Sequence, residues 1–255
     1  MPLTDQTQPT VKTITTYNLA ILLLFTTAFF TRIGKEKKGD ELFITYRVDV
    51  KKSDLKLYWK NDKNEPFKSI QNLKTWVESQ QKTLVFAMNG GMYMQDNSPL
   101  GLFIENKKQL TPLNTRSGAG NFYMQPNGVF YITTANIPAI CKTEDFVNKG
   151  NIKYATQSGP LLVINRTINP AFKEGSTNVN IRNGVGILPN NEVVFAMSKD
   201  EVNFFDFASY FKKMGCQYAL YLDGFVSRIY LPEKNWTQTD GNFGVIIGVT
   251  EGKKR

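Results

Sequence analysis

The stretch NFFDFASYFKKMGCQYALYLDG, residues 203–224, decides the fold class, because it sets an amphipathic helix against a strand with no charged interior. Phe204, Phe207, Ala208 and Phe211 recur at i, i+3, i+4 and i+7, the spacing that lines one helix face. Asn203 stands where a side-chain oxygen caps the first free N–H groups, with Asp206 three residues on, and Gly215 stands where a helix exit favours glycine. The pattern predicts a helix over Phe204–Met214. Tyr218–Leu222 then carries no charge at either parity, which predicts a strand covered on both faces.

Working outward, short strands dominate. Alternation or compact apolar runs predict them at Leu42–Val50, Asp54–Lys60, Thr83–Met88, Leu100–Glu105, Asn121–Gln125, Val129–Thr133, Tyr154–Gln157, Leu161–Asn165, Val185–Leu188, Glu192–Met197, Val226–Leu231 and Gly244–Val249. Pro66 opens a second helix carrying Phe67, Ile70, Leu73 and Val77, and a short helix fits Thr143–Asn148. Many strands with a few packed helices predict an α+β (mixed α/β) domain around a mixed sheet. No Pro/Ser-rich linker interrupts residues 39–255, so one domain is expected there, preceded by a separate segment over residues 1–38.

Within that segment, Leu19–Phe30 is apolar and uncharged, short for a membrane span of about 20 residues and suited to a signal-peptide core or an anchor. No clean small-x-small cleavage site follows it. The expectation is an exported or membrane-anchored protein of the cell envelope or periplasm. Four basic residues after the stretch against one before it argue for the opposite orientation.

Composition narrows the chemistry. The chain of 255 residues has no histidine, which excludes Ser-His-Asp and Cys-His catalysis, His-ligated zinc and any histidine base. Acid–base work falls to carboxylates, Tyr, Lys or Cys. The two cysteines, Cys141 and Cys216, can form one disulfide or remain two buried thiols. The net charge is +9, and the residues after 38 are basic in their own right, which favours anionic partners such as phosphorylated sugars or simply a soluble surface. Neither a basic helix nor a zinc knuckle nor an RNP-type strand points to nucleic acid.

Three glycine-bearing strand ends and one arginine can carry function. Asn89-Gly90-Gly91 brings bare backbone to the surface, as an anion-binding turn or as an ordinary tight one. Ser158-Gly159-Pro160 can line a pocket at a strand edge. Asp223-Gly224 reads two ways with equal force. It is a carboxylate at the end of a buried strand, poised for acid, nucleophile or charge-stabilising duty, or the Asp-Gly of a type I′ hairpin. Arg182 can clamp a phosphate with its fork of donors or stand exposed on a hairpin.

Taken in order, Asn89-Gly90-Gly91, Ser158-Gly159-Pro160, Arg182 followed by Gly186, Asp206-Phe207-Ala208, Leu222-Asp223-Gly224 and Ser227 resemble the phosphodiester glycosidase family. Its members include the enzyme that uncovers mannose 6-phosphate signals by removing N-acetylglucosamine from a phosphodiester. The resemblance runs from about residue 42 to 250 and implies that these strand ends converge on one cleft lined by Asn89, Arg182, Asp223 and Ser227. Many members carry Asp-Gly-Gly-Gly-Ser at the last site, where this chain has Phe225 and Val226 in place of two glycines.

The chemistry so implied is hydrolysis of a glycosyl phosphodiester. Asp223 would attack or stabilise oxocarbenium-like charge, Arg182 would neutralise the departing phosphate, and Asn89 with Ser227 would orient the sugar, with Gly90, Gly91, Ser158 and Gly159 around the substrate. No cofactor is required, although a divalent cation such as calcium can sit on oxygens near Asp223. Glu105 and Asp240 are candidates for a second carboxylate. Two rival readings are a non-catalytic, membrane-anchored binder of anionic glycans and a metal-dependent phosphodiesterase.

Overall fold

The structure, a computed structural model, describes residues 39–253. These fall in one compact unit beginning at Gly39, and the apolar stretch 19–30 lies outside them. After a helical turn at Gly39–Leu42, strands build three sheets.

The first sheet runs β1 (Phe43–Val48), β12 (Val193–Ser198), β11 (Asn183–Ile187), β13 (Tyr218–Asp223), β9 (Leu161–Ile164), β10 (Thr167–Ile168). The second runs β15 (Trp236–Thr237), β14 (Ile229–Leu231), β3 (Lys82–Asn89), β16 (Ile246–Gly252), β2 (Asp54–Tyr58). The third runs β5 (Lys108–Thr111), β4 (Phe103–Glu105), β8 (Ile152–Ser158), β6 (Gly128–Thr133), β7 (Pro138–Lys142).

The inner faces of all three sheets meet in one core. Phe195 of the first sheet stacks on Phe86 of the second, with centroids 5.1 Å apart, and meets Phe130 of the third edge-on at 6.1 Å. Each outer face has its own smaller cluster. Helix α1 (Ile70–Ser79) buries Ile70, Leu73 and Val77 on the second sheet, and helix α2 (Phe204–Lys213) buries Phe207 and Phe211 on the first. Gly186 lets α2 approach that closely, since a Cβ there would stand 2.6 Å from Cys216 Sγ and 2.8 Å from Phe211 Cδ1.

The α+β class holds in its coarser form, mostly strands with two ten-residue helices. The single mixed sheet does not: among the described residues there are three sheets whose ladders are all antiparallel. Parallel neighbours need long crossovers, whereas short strands joined by turns pair antiparallel. The second predicted helix starts at Ile70, not Pro66. Phe67 N–H is taken by the Trp59 carbonyl, and Ser69 provides the cap through an oxygen that accepts from Asn72 N–H. Asn121–Tyr123 is a 3-10 turn rather than a strand, and the expected helix at Thr143–Asn148 shrinks to a 3-10 turn at Thr143–Asp145. Around residues 203–224 the reading stands, with Asn203 Oδ1 accepting from Asp206 N–H and Gly215 at φ 89°.

Candidate active site

The two central strands of the first sheet carry the site. Along β11, Val185 and Ile187 face the shared core while Gly184 and Gly186 face α2, so strand alternation sends Asn183 inward and Arg182 outward. Between Asn183 and Gly184 the register slips, which sets Asp223 of β13 opposite Asn183 and leaves Leu222 as the extra residue. Bulges of this kind re-aim side chains at strand ends.

Asp223 is 6% exposed. Its Oδ1 accepts from the Gly224 N–H at 2.7 Å and the Phe225 N–H at 3.2 Å, and its Oδ2 accepts from Asn89 Nδ2 at 3.3 Å. Asn89 is held in turn, because its Oδ1 accepts from Asn183 Nδ2 at 2.7 Å and from Arg228 N–H at 2.9 Å. Asn183 Oδ1 accepts the Asp223 N–H at 2.8 Å, which closes the ring. Burial pushes the Asp223 carboxyl up to about 6, opposed by the three N–H donors. At neutral pH it is therefore mostly an anion with its charge incompletely solvated.

Asp223 stands on the wall of a cavity of about 410 Å³, lined also by Met92, Tyr93, Met94, Leu100, Phe122, Phe225 and Val226 among others. It is the only carboxylate there, and no lysine or arginine joins it among the described residues. The Tyr93 hydroxyl is held above its ordinary pKa, first by burial and then by the Asp223 charge, so it keeps its proton and can donate it in a hydrogen bond.

The Asp-Gly pair is not a hairpin. Strand β13 pairs with β11 and β9, while the next strand, β14, pairs with β3 and β15 in the second sheet, so residues 224–228 cross between sheets. Ser227 braces that crossing, its Oγ bonded to the carbonyls of Ile181 and Asp223, both at 3.1 Å. Ser158 Oγ donates to the Leu222 carbonyl at 2.9 Å.

The phosphodiester glycosidase profile matches residues 82–248, a span holding all of these side chains. The uncharacterized protein YigE of Escherichia coli (strain K12) is 39% identical over 187 residues, 73% of each chain. The chain belongs to the phosphodiester glycosidase family. Its fold is similar to that of the zebrafish N-acetylglucosamine-1-phosphodiester alpha-N-acetylglucosaminidase catalytic domain, auto-inhibited by its pro-peptide, at TM-score 0.55 and 12% identity over 82% of this chain and 83% of that one. A hypothetical protein from Synechocystis gives TM-score 0.51 and 13% identity, covering 82% of this chain and 59% of that one.

Of the residues that the family resemblance singled out, Asn89, Asp223, Ser227 and Ser158 gather at one strand end, and only Asp223 reaches the cavity. Asn89 and Ser227 lie behind the carboxylate and hold it. Gly90 and Gly91 are required by crowding, since a Cβ on either would stand 2.5 Å from Ile247 Cγ1 or 2.7 Å from Thr156 Oγ1. Gly159 likewise abuts Asn127.

Arg182 is adjacent in sequence to the site and turned away from it. Its guanidinium is wholly buried and donates to the Val202 carbonyl at 2.8 Å, the Tyr221 hydroxyl at 3.2 Å and Asn178 O and Oδ1 at 2.8 and 2.9 Å, with the Phe204 ring 3.7 Å from its carbon. Donors so engaged do not reach a phosphate in the cavity.

Glu105 lies in a different cavity, with Tyr58, Trp76 and Tyr154, where burial lifts it to about 7, and Asp240 is taken by Arg228 at 2.8 Å. Asn183 and Tyr93 are the residues that sequence reasoning missed. For Asn183 the available signal was its parity, one step from Arg182. For Tyr93 it was its place two residues beyond Asn-Gly-Gly.

Among the described residues no group of three or more His, Cys, Asp or Glu side chains could hold a metal, both cysteines are free thiols, and no helix is long and apolar enough to cross a membrane.

Proposed function

We propose that this chain is a hydrolase that cleaves a glycosyl phosphodiester, with Asp223 as its central group. The observation that carries the reading is a mostly buried carboxylate, pre-positioned by Asn89 and Asn183, opening onto a cavity within the matched family domain. The sugar's C1 would face Asp223, whose anion attacks it or stabilises the positive charge that grows as the C1–O bond breaks. Desolvation makes that anion a stronger partner for the developing charge than it would be in water.

The phosphate monoester leaves with the bonding electron pair. It is a weakly basic leaving group, so a hydrogen bond from the Tyr93 hydroxyl suffices in place of a strong acid. Water completes the exchange, giving free sugar and phosphomonoester. In this reading Arg182 supports the fold instead of clamping the phosphate, and no divalent cation is needed.

The test is turnover of sugar-1-phosphodiesters by the full chain, with and without chelator. Asp223→Asn should abolish hydrolysis, and full activity in that variant would falsify the assignment. The lone carboxylate in the cavity favours one second reading, a glycan binder without turnover, since most glycosidases use a pair. Glycan affinity with no product released under any metal condition would select it. An envelope location rests on residues 19–30, and a reporter enzyme fused to the C terminus tests it.

A further inference from the structure

Phe225 is 93% exposed, and Met94 is 51% exposed. They are two of the five large apolar side chains exposed among the described residues, and both border the Asp223 cavity. The walls behind them are Leu100, Phe122, Met92 and Val226. Exposed apolar surface that clusters around a concave site marks a binding surface, whereas single scattered residues do not.

The charge pattern agrees. The protein is strongly basic, yet among the described residues neither lysine nor arginine lines this cavity. Its polar side chains other than Asp223 are the uncharged Tyr93, Gln95 and Asn121, set among a larger number of apolar ones. Phe225 and Val226 lie two and three residues beyond Asp223 and line the same cavity.

We infer that the substrate is a glycosyl phosphodiester whose aglycone carries an extended apolar chain, and that Phe225, Val226 and Met94 grip that chain next to Asp223. The inference rests on the hydrolase reading for its reaction but not for its binding. The chain's first methylenes would run from the phosphate along Val226 and Phe225, and Leu100 and Met92 would exclude water from the rest.

The experiment uses the full chain and a series of sugar-1-phosphodiesters with methyl, butyl and octyl aglycones, each below its aggregation concentration. In the wild type, kcat/KM should rise about tenfold or more from methyl to octyl, as expected for transfer of several methylenes from water. Phe225→Ser should cut the octyl-to-methyl ratio about tenfold, and Met94→Gln should cut it by less. Because both side chains are exposed, neither change threatens folding. A flat series in the wild type, or an unchanged ratio in Phe225→Ser, overturns the inference.

If no diester turns over, the hydrolase reading has failed on its own, and calorimetry with octyl phosphate and methyl phosphate still decides this one. Octyl phosphate should bind at least about tenfold tighter than methyl phosphate, and Phe225→Ser should remove the difference. Equal affinity, or an octyl preference that survives Phe225→Ser, overturns it.

Discussion

Two buried charges sit one strand apart in the first sheet, and they are built to opposite ends. The region around Arg182 is closed. Its donors are taken by carbonyls and a phenol, Phe204 covers its face, and all of this lies on the side covered by α2. The region around Asp223 is open, with the carboxylate held from behind by Asn89 and the turn N–H groups while the other side meets a cavity. Burial alone does not separate a scaffold ion from a reacting one. What separates them is whether bonding capacity is left over and whether anything from outside can reach it.

The sharpest way to break this contrast is to remove each charge in turn. Asp223→Asn should lower turnover by about a thousandfold or more, as loss of a nucleophile or charge stabiliser does, with no loss of stability in denaturant titration. Arg182→Met should do the reverse. It strands the Val202 and Asn178 carbonyls in the interior and should cost about 3 to 5 kcal/mol of unfolding free energy, with KM unchanged for the protein that remains folded. A variant at 182 that keeps its stability but loses substrate affinity would put the arginine back in the cavity.

Proton linkage sharpens the same contrast. Asp223 has a folded pKa of about 6, above that of an unfolded aspartate. Between about pH 4 and 6 the folded state therefore binds the extra proton, and stability from this group falls as pH rises through that window, then levels off. The full effect is on the order of 3 kcal/mol, and the wild-type minus Asp223→Asn difference in chemical denaturation isolates it. A flat difference curve would mean that the carboxylate is solvated. The same pKa sets the acid limb of kcat/KM near 6, because the anion is the working form.

The smallest effect is expected at the positioning residue. Asn183→Ala should slow turnover about ten- to a hundredfold, the usual range for groups that orient a functional side chain. Asn183→Asp should move the acid limb to higher pH, because a second carboxylate then crowds the first. A purely structural asparagine would leave that limb where it is.

Much of this was legible in residues 203–224. The 3.6 period of Phe204, Phe207 and Phe211 and the uncharged run of Tyr218–Leu222 are local patterns, and local patterns survive folding when the cap and the exit glycine agree with them. The division into three sheets was not legible, because which strands pair is fixed by contacts between distant segments. Asp223-Gly224 stayed ambiguous for the same reason, since only the partners of β13 and β14 distinguish a crossing from a hairpin. The arginine was misjudged by a single parity step. A bulge between Asn183 and Gly184 leaves no mark in the sequence, yet it decides which residue faces the carboxylate.

Tyr221 gives the molecule a shared fulcrum. Its hydroxyl takes a hydrogen bond from Arg182, and a methyl group placed on Gly224 would land 1.5 Å from that same oxygen. Position 224 is therefore locked, because any side chain there would lever the phenol off the guanidinium and loosen strand and turn together. Position 225, one step outward and exposed, is free to vary, whereas Val226 packs partly against the cluster beneath α1. A change at that one residue alters the rim of the cavity without touching the joint that keeps the acid in place.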